Sequence, residues 1–521
     1  MIGRIATIAA VACLSLATPA AASEVLRVEG NRVVPQQDPA LPGAGADLQS
    51  PPATSCGASP GRAAAAGVGA PPARGSALRS SVPAVLRADY RKGALTAQEY
   101  SDYRHAYSDA RSTAARLSGT RRLNLQSVIY TLDRIARSGA LTVSRMHALF
   151  FQLEHNTEFW PSKPLPRIPP PTPSPCRYFA KKSGFVTPVR YVFDDSPVIF
   201  EYYPGNGLQI QELANWGKVN ALAGACLGVY GPNVPCRPDQ LKPYVDAMVA
   251  LGSRRGPFTT WEYWFPFGGG SPPWTSGLSQ GTAITALVRS SIVLKDPSYL
   301  RVAQSAVKAF TTPAPVGVKT NAFGGDWYAE YSFAPRSFIL NGFLQALNGI
   351  WDLYTATKSR SVRAIFTRGS RAAKRALRHY DTGAWSLYTL GGQEDDLNYH
   401  RLVRDFLKGL CDRTQDRVYC AYSTRFTNYM HDHERLEFEG PHAARAGRAV
   451  RLTFRLSKIS CVTVRVKRGS TTVFESRLLT PYGTRSFTWV PRSAGRYSVE
   501  FTAYDYLNHL TVDKGRLTVR R

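Results

Sequence analysis

Three segments of this chain crowd phenols, carboxylates and amides into short spans. The first reads Glu201-Tyr202-Tyr203-Pro204-Gly205-Asn206-Gly207-Leu208-Gln209 and runs on through Leu213-Ala214-Asn215-Trp216-Gly217-Lys218. The second is Trp327-Tyr328-Ala329-Glu330-Tyr331, followed by Ser337-Phe338-Ile339-Leu340-Asn341-Gly342-Phe343. The third extends from Tyr380-Asp381-Thr382-Gly383 through Tyr388 to Asn398-Tyr399-His400. A carboxylate and a phenol on opposite faces of a substrate can remove and return a proton. A free phenol has a pKa of about 10, so a tyrosine acting as a base needs cations beside it. Arg336, Lys218 and Arg401 stand nearest in sequence. Glycoside hydrolysis would need two apposed carboxylates. Glu201, Glu212 and Glu262 are available, but their spacing pairs none of them. His431 and His433 could ligate a metal or lie in a solvated linker, and no CxxC motif points to zinc.

Taken in order, these segments resemble the catalytic domain of D-glucuronyl C5-epimerases. That family has a Tyr-Pro-Gly turn with a following Gln, and Trp-Tyr-x-Glu-Tyr leading to Phe-x-Leu-Asn-Gly-Phe. It also has Tyr-Asp-Thr-Gly, a nearby Tyr and a Tyr-His pair. Trp274-Thr275-Ser276 with Ser279-Gln280-Gly281 is similar to its tryptophan-led loop into an inner helix. The resemblance covers roughly Val186–Leu410. It implies that Glu330, Tyr331, Tyr388 and Tyr399 are catalytic, with Glu330 and Tyr399 as the proton-transfer pair and Tyr331 and Tyr388 as supporting donors. Tyr203, Gln209, Asn215, Lys218, Gln280, Arg336, Asn341 and His400 are the expected substrate-binding residues. For Asn341 a loop brace is the plainer reading, and for His400 an orienting role behind Tyr399. Trp261, Trp264 and Trp274 either stack on sugars or are buried by their Gly/Pro-rich loop. The chain departs from the family pattern at Ala329, Ser332 and Val403 and in a short Tyr388–Tyr399 linker, and these departures bear on substrate identity.

The implied reaction explains the residue types. The C5 hydrogen of a uronic acid is alpha to a carboxylate, and its removal makes a doubly charged enediolate that preorganised donors must stabilise. Return of a proton on the opposite face inverts the centre. No cofactor or metal is required. A uronan lyase shares the same first step and then expels the O4 substituent. A non-catalytic polysaccharide-binding protein on the same scaffold is the alternative outside enzymology.

Bulk properties fit an acidic partner. The 521 residues carry a formal charge of +28, which attracts polyanions; a solvated basic surface is the plainer alternative. Residues 1–22 read as a signal peptide: Arg4, an apolar run from Ile5 to Leu16, then Thr18-Pro19-Ala20-Ala21-Ala22. Export makes nucleic acid an improbable partner and permits disulfides. Cys226–Cys236 and Cys411–Cys420 are close in sequence and plausible pairs. No later stretch is apolar enough to span a bilayer, so the chain is not expected to be an integral membrane protein. The oligomeric state stays open, a homodimer included.

The elements that must position these residues divide the chain. Residues 23–75 are rich in Ala, Pro and Gly and read as a disordered leader. Residues 76–160 read as helical, with a capping box at Thr96–Glu99. Residues 161–185 form a proline-rich strap. Residues 186–435 are the epimerase-like domain, with strand-like runs at Val186–Val192 and Val198–Tyr203. Helices are expected at Leu213–Leu227, Pro243–Leu251, Ser279–Leu294, Ser298–Phe310, Ser337–Ala356, Val362–His379 and Tyr399–Leu410. Paired helices with aromatic loops suggest an α/α toroid. From 440 to 521, alternation such as Val450, Leu452, Phe454, Leu456 against Arg451, Thr453, Arg455 predicts an all-β, immunoglobulin-like sandwich. The expected fold class is therefore multidomain and mainly α, with short β segments and a terminal β sandwich. Residues 441–521 hold 16 Lys and Arg against 4 Asp and Glu, which suits either a polyanion-binding appendage or a solvated face.

Overall fold

A computed structural model of the chain describes residues 23–30, 32–38, 80–167, 189–230 and 234–521. Four helices come first: α1 (Val82–Arg91), α2 (Ala97–Arg116), α3 (Gly119–Arg137) and α4 (Val143–Ser162). The Thr96–Glu99 capping box forms, with Glu99 N donating to Thr96 Oγ1 at 3.1 Å and Thr96 N to Glu99 Oε2 at 2.8 Å. A five-stranded sheet packs against these helices. Its order is β2 (Arg32–Asp38), β1 (Ser23–Glu29), β3 (Arg190–Phe193), β4 (Ile199–Tyr203), β5 (Gly207–Ile210).

This sheet corrects the leader assignment. Residues 23–38 are an antiparallel hairpin, and Leu26, Arg27 and Val28 pair in parallel with Tyr191, Val192 and Phe193. The physical reason is a short run of apolar residues, Val25, Leu26 and Val28, among polar ones. Val25 and Val28 are buried in the main core, and the Ala/Pro/Gly-rich sequence after residue 38 masks that pattern in a composition average. The signal-peptide reading of residues 1–22, the rest of the leader and most of the proline-rich strap lie outside the described residues.

The central region is mainly helical. Its helices are α5 (Glu212–Cys226), α6 (Pro238–Ala250), α7 (Gly277–Leu294), α8 (Ser298–Ala306), α9 (Leu340–Thr357), α10 (Arg360–Ala376), α11 (Leu397–Thr414) and α12 (Arg417–Tyr429). Short hairpins β6 (Ser253–Arg255) with β7 (Phe258–Thr260), and β8 (Lys319–Ala322) with β9 (Gly325–Tyr328), interrupt them. Helices α7 and α9 are buried on nearly every face, the signature of inner helices. They cross at Gly281 and Gly349: a Cβ on Gly281 would lie 2.6 Å from the Ala346 Cα, and one on Gly349 would lie 2.2 Å from the Gly281 carbonyl. Only glycine allows that approach, and it lets the start of α7 lie against the middle of α9. Disulfides join Cys226 to Cys236 and Cys411 to Cys420.

The C-terminal region is all β, with a separate core. One sheet orders β10 (Leu436–Gly440), β12 (Val450–Leu456), β15 (Gly483–Trp489). The other orders β11 (Ala443–Arg445), β17 (Leu510–Arg520), β16 (Gly495–Asp505), β13 (Ser460–Arg468), β14 (Thr471–Thr480). The alternating apolar residues of both sheets fill the space between them, among them Leu452, Phe454, Val464, Val499 and Phe501. Among the described residues no helix is long and apolar enough to cross a membrane.

Candidate functional site

A third, small apolar cluster lies apart from both cores, and all three tyrosines of the expected catalytic set belong to it. Tyr331, Tyr388 and Tyr399 pack with Tyr263, Phe265, Trp274, Leu278 and Ile339, and the half-buried Tyr203, Phe267 and Phe333 edge the group. The Tyr388 and Tyr399 rings meet edge to face at 5.2 Å. Tyr331 is 5.8 Å from both Trp274 and Phe267, centroid to centroid.

Each polar member is set by its own element. Glu330 and Tyr331 follow strand β9. The first residue of α7 clamps them, with Gly277 N donating to the carbonyls of Ala329 (3.1 Å) and Glu330 (3.2 Å). Ser332, a departure from the family pattern, has a structural use: its Oγ accepts from Thr275 N at 3.1 Å, and its own N–H donates to the Thr275 carbonyl at 3.0 Å. This ties the Glu330 loop to the Trp274 loop. Tyr399 sits in the first turn of α11, where the capping carboxylate of Asp396 accepts its N–H at 3.0 Å. Tyr388 lies on the preceding loop, and its carbonyl accepts from Leu340 N at the start of α9 (3.3 Å).

The electrostatics separate the roles. Glu330 is 1% exposed. Burial pushes its carboxyl up to about 7, against hydrogen bonds from the Tyr331 hydroxyl and the Gly342 N–H. Its Oε2 has no hydrogen-bond partner. Burial first, then the neighbouring Glu330 carboxylate and phenols, hold Tyr331, Tyr388 and Tyr399 well above the ordinary phenol range. At neutral pH these three are therefore proton donors, and Glu330 is the group that can accept.

Several expected substrate contacts are corrected. Asn215 is fully engaged: Oδ1 accepts from Ile199 N (2.8 Å) and the Tyr244 hydroxyl (2.7 Å), and Nδ2 donates to the Ile199 and Gln211 carbonyls. It fastens β4 to α5. Gln280 is spent on Thr260 Oγ1 and on the Thr259 and Ala306 carbonyls. Lys218 pairs with Asp38 at 2.6 Å and lies over the Tyr244 ring. His400 is buried beneath the cluster, with Nδ1 2.7 Å from Ser386 Oγ, Nε2 2.8 Å from the Phe426 carbonyl and its ring stacked on Trp385 at 3.6 Å. Both ring nitrogens are thus occupied within the protein. Trp261, Trp264 and Trp274 are each 1% exposed and offer no sugar platform.

Two of the remaining expected contacts, Asn341 and Gln209, keep unpartnered polar atoms, while Tyr203 is engaged and Arg336 is exposed. Asn341, in the first turn of α9, is buried with both amide atoms unpartnered. Gln209 is buried opposite Glu201 on the sheet, with Oε1 unpartnered. Tyr203 packs on Phe265 at 4.2 Å, and its hydroxyl accepts from Gln211 Nε2. Arg336 is exposed on the loop between Tyr331 and α9. Among the described residues no cluster of three metal-ligating side chains occurs.

Sequence reasoning missed Ser386, Asp395 and Glu394, which lie around Tyr388 without a recognisable motif. It also missed Tyr263, Phe265 and Phe267, whose signal was the aromatic run Trp261 to Phe267.

Residues 255–428 match the family described as D-glucuronyl C5-epimerase C-terminus. Over 180 residues the chain is 31% identical to the D-glucuronyl C5-epimerase of Caenorhabditis elegans, covering 31% of this chain and 29% of that enzyme. Over 172 residues it is 28% identical to an uncharacterised protein of Methanocaldococcus jannaschii, covering 32% of this chain and 56% of that one. The chain thus spans under a third and somewhat over half of the lengths of these two curated relatives. Among solved structures it is similar to a cellobiose 2-epimerase from Bacillus thermoamylovorans at 13% identity and a TM-score of 0.29, covering 43% of this chain and 61% of that one. A sugar epimerase from a ruminal bacterium gives 12% identity and a TM-score of 0.31 over the same shares. The match to the D-glucuronyl C5-epimerase C-terminus thus covers residues 255–428, the stretch that carries Glu330, Tyr331, Tyr388 and Tyr399.

Proposed function

We propose that this protein epimerises C5 of D-glucuronate residues, to L-iduronate, within an acidic polysaccharide. The observation that carries the reading is a buried carboxyl, Glu330, hydrogen-bonded to Tyr331 within the cluster that also buries Tyr388 and Tyr399. In the forward step the C5–H bond breaks and its proton passes to Glu330. The electron pair is delocalised into the substrate carboxylate, and the Asn341 amide supplies an unpaired donor for it. The Tyr399 hydroxyl then gives its proton to C5 from the opposite face, with Tyr388 in support. The Tyr331 hydroxyl, hydrogen-bonded to Glu330, offers a path for returning the Glu330 proton to the phenolate. Proton transfer by a positioned group contributes roughly 10²–10⁴-fold.

We place this site in an α/α-toroid-like domain followed by an immunoglobulin-like sandwich, in a protein exported by its first 22 residues. The net charge of +28 favours the polyanionic substrate. The test is NMR of glucuronate polymers incubated with the protein in D₂O. Loss of the H5 signal with new iduronate resonances, abolished by Glu330→Gln or Tyr399→Phe, supports the reading. Unsaturated H4 signals would make the protein a lyase, and no exchange on a broad panel of uronans would leave a binding protein.

A further inference from the structure

The basic C-terminal β region invites reading as a separable appendage. Its contacts point elsewhere. Glu394, six residues after Tyr388 and five before Tyr399, is 4% exposed. Both of its oxygens accept backbone N–H groups of the β region: Ile459 N reaches Oε1 and Tyr482 N reaches Oε2, each at 2.8 Å. A buried carboxylate satisfied by two main-chain donors is a fixed attachment, because losing either donor leaves a desolvated oxygen.

Lys458, just before strand β13, reaches the same segment from below. Its side chain is 2% exposed. Its ammonium pairs with Asp505 at 2.6 Å and donates to the Tyr429 and Asp432 carbonyls. It also sits 5.5 Å from the Trp385 ring. The other side of the contact is the Trp385–His400 stack, and Trp385 Nε1 donates to the Asp395 carbonyl at 2.7 Å. Lys458 therefore packs against the Trp385–His400 stack, and His400 directly follows Tyr399 in the first turn of α11. The connection from α12 to β10 is only Met430–Arg435, far from the long exposed linker that separates independent domains.

We propose that the C-terminal β region is part of the active-site scaffold, with Glu394 and Lys458 as positioning residues that hold the Tyr388 loop and the Tyr399 helix start in register. This rests on the function proposed above for those tyrosines. Neither residue reaches the Glu330 cluster, so they act through geometry. A misplacement of about 1 Å at a reacting group is worth roughly 100-fold in rate.

The test uses the full chain with Glu394→Ala, Glu394→Gln and Lys458→Met. Three readouts are taken: C5 exchange kinetics on a glucuronate polymer in D₂O, amide hydrogen exchange by mass spectrometry, and melting temperature. Glu394→Ala is expected to lower kcat by at least about tenfold with KM within about twofold, and to speed amide exchange within 385–400. Glu394→Gln, which keeps one acceptor, should recover part of the loss, and that graded response separates positioning from mere stability. Lys458→Met keeps the stem without the charge and carries the test if Glu394→Ala does not fold. Unchanged kcat and unchanged exchange at 385–400 in a folded variant would overturn the proposal. If the wild-type chain exchanges no C5 proton, the proposed function fails, while amide exchange still decides whether the β region braces this loop.

Discussion

Glu330 and Gly342 touch: a Cβ at Gly342 would stand 2.6 Å from Glu330 Oε2 and 3.0 Å from its Cβ. The glycine also donates its N–H to the same carboxylate. A single methyl there must displace the proposed base, because it meets the carboxylate oxygen and also Glu330 Cβ and Cγ. Gly342→Ala should therefore cost activity about as severely as Glu330→Gln, roughly 10²-fold or more, while the helix itself gains propensity. Exchange kinetics and helical content by circular dichroism check both halves. Full activity in Gly342→Ala would mean that Glu330 is not the proton acceptor.

The acid limb of the pH profile follows from Glu330. Its carboxyl titrates at about 7, and only the ionised form accepts the C5 proton. kcat/KM should rise with pH up to about 7 and then level off, because the three phenols ionise well above the ordinary phenol range. A profile with no limb between about pH 6 and 8 would remove Glu330 from the base role.

Stability should run the other way. Glu330 and Glu394 at about 7 and Asp395 at about 8 are all raised by burial. The folded state therefore holds protons that the unfolded chain releases near its ordinary carboxylate range, about pH 4. Their contribution is complete below the unfolded pKa and is lost as pH rises through about 7 to 8. A tenfold difference in proton affinity between the two states corresponds to about 1.4 kcal/mol. Melting temperature should fall from about pH 5 to about pH 8. The optimum for activity then lies on the descending side of stability.

Asp395 tests the sign of that argument within one network. Ser386 Oγ is 2.5 Å from Asp395 Oδ2 and 2.7 Å from His400 Nδ1. A hydroxyl has one proton, so one of these contacts must be donated by its partner. Burial drives His400 down to about 3, so it is neutral, and its Nε2–H is aimed at the Phe426 carbonyl. The donor is then Asp395 as a carboxylic acid. Asp395→Asn keeps a donor at that place and should preserve both folding and activity, while flattening the loss of stability between about pH 5 and 8. Asp395→Ala should lower the melting temperature and slow C5 exchange. If the Asn variant is as impaired as the Ala variant, the carboxylate form is the native one.

How far the sequence reached depends on the kind of signal. Periodicity found all seven expected helices of the central region, with displacements where caps decide: Asp396 rather than the apolar pattern starts α11, two residues before Tyr399. Helix α12 was missed because aromatic and polar residues mix on its surface. The hairpin at 23–38 was missed because composition averages over a long window. Motif order brought Glu330, Tyr331, Tyr388 and Tyr399 to one place. Individual polar residues such as Asn215, Gln280 and Lys218 were misread, because an amide or ammonium beside a site fits a structural clamp as well as a substrate. Glu394 and Lys458 were beyond reach, since their partners are backbone groups, a carboxylate and a ring 26 to 88 residues away in sequence.

Asn341 offers the sharpest separation of function from stability. It is 1% exposed and both amide atoms lack partners, although α9 could have been capped elsewhere. An unsatisfied buried polar group costs about 1–3 kcal/mol, a burden that a bound ligand would relieve. Asn341→Leu replaces the amide with an apolar group of similar shape, so the melting temperature should hold or rise. C5 exchange should meanwhile fall by about 10²-fold or more, the scale for losing one donor to a developing oxyanion. Asn341→Asp should also fail, because a second carboxylate would face the substrate's own. If Asn341→Leu instead keeps full activity, the amide does not touch the substrate carboxylate, and another donor, with the exposed Arg336 the nearest candidate in sequence, must stabilise the enediolate.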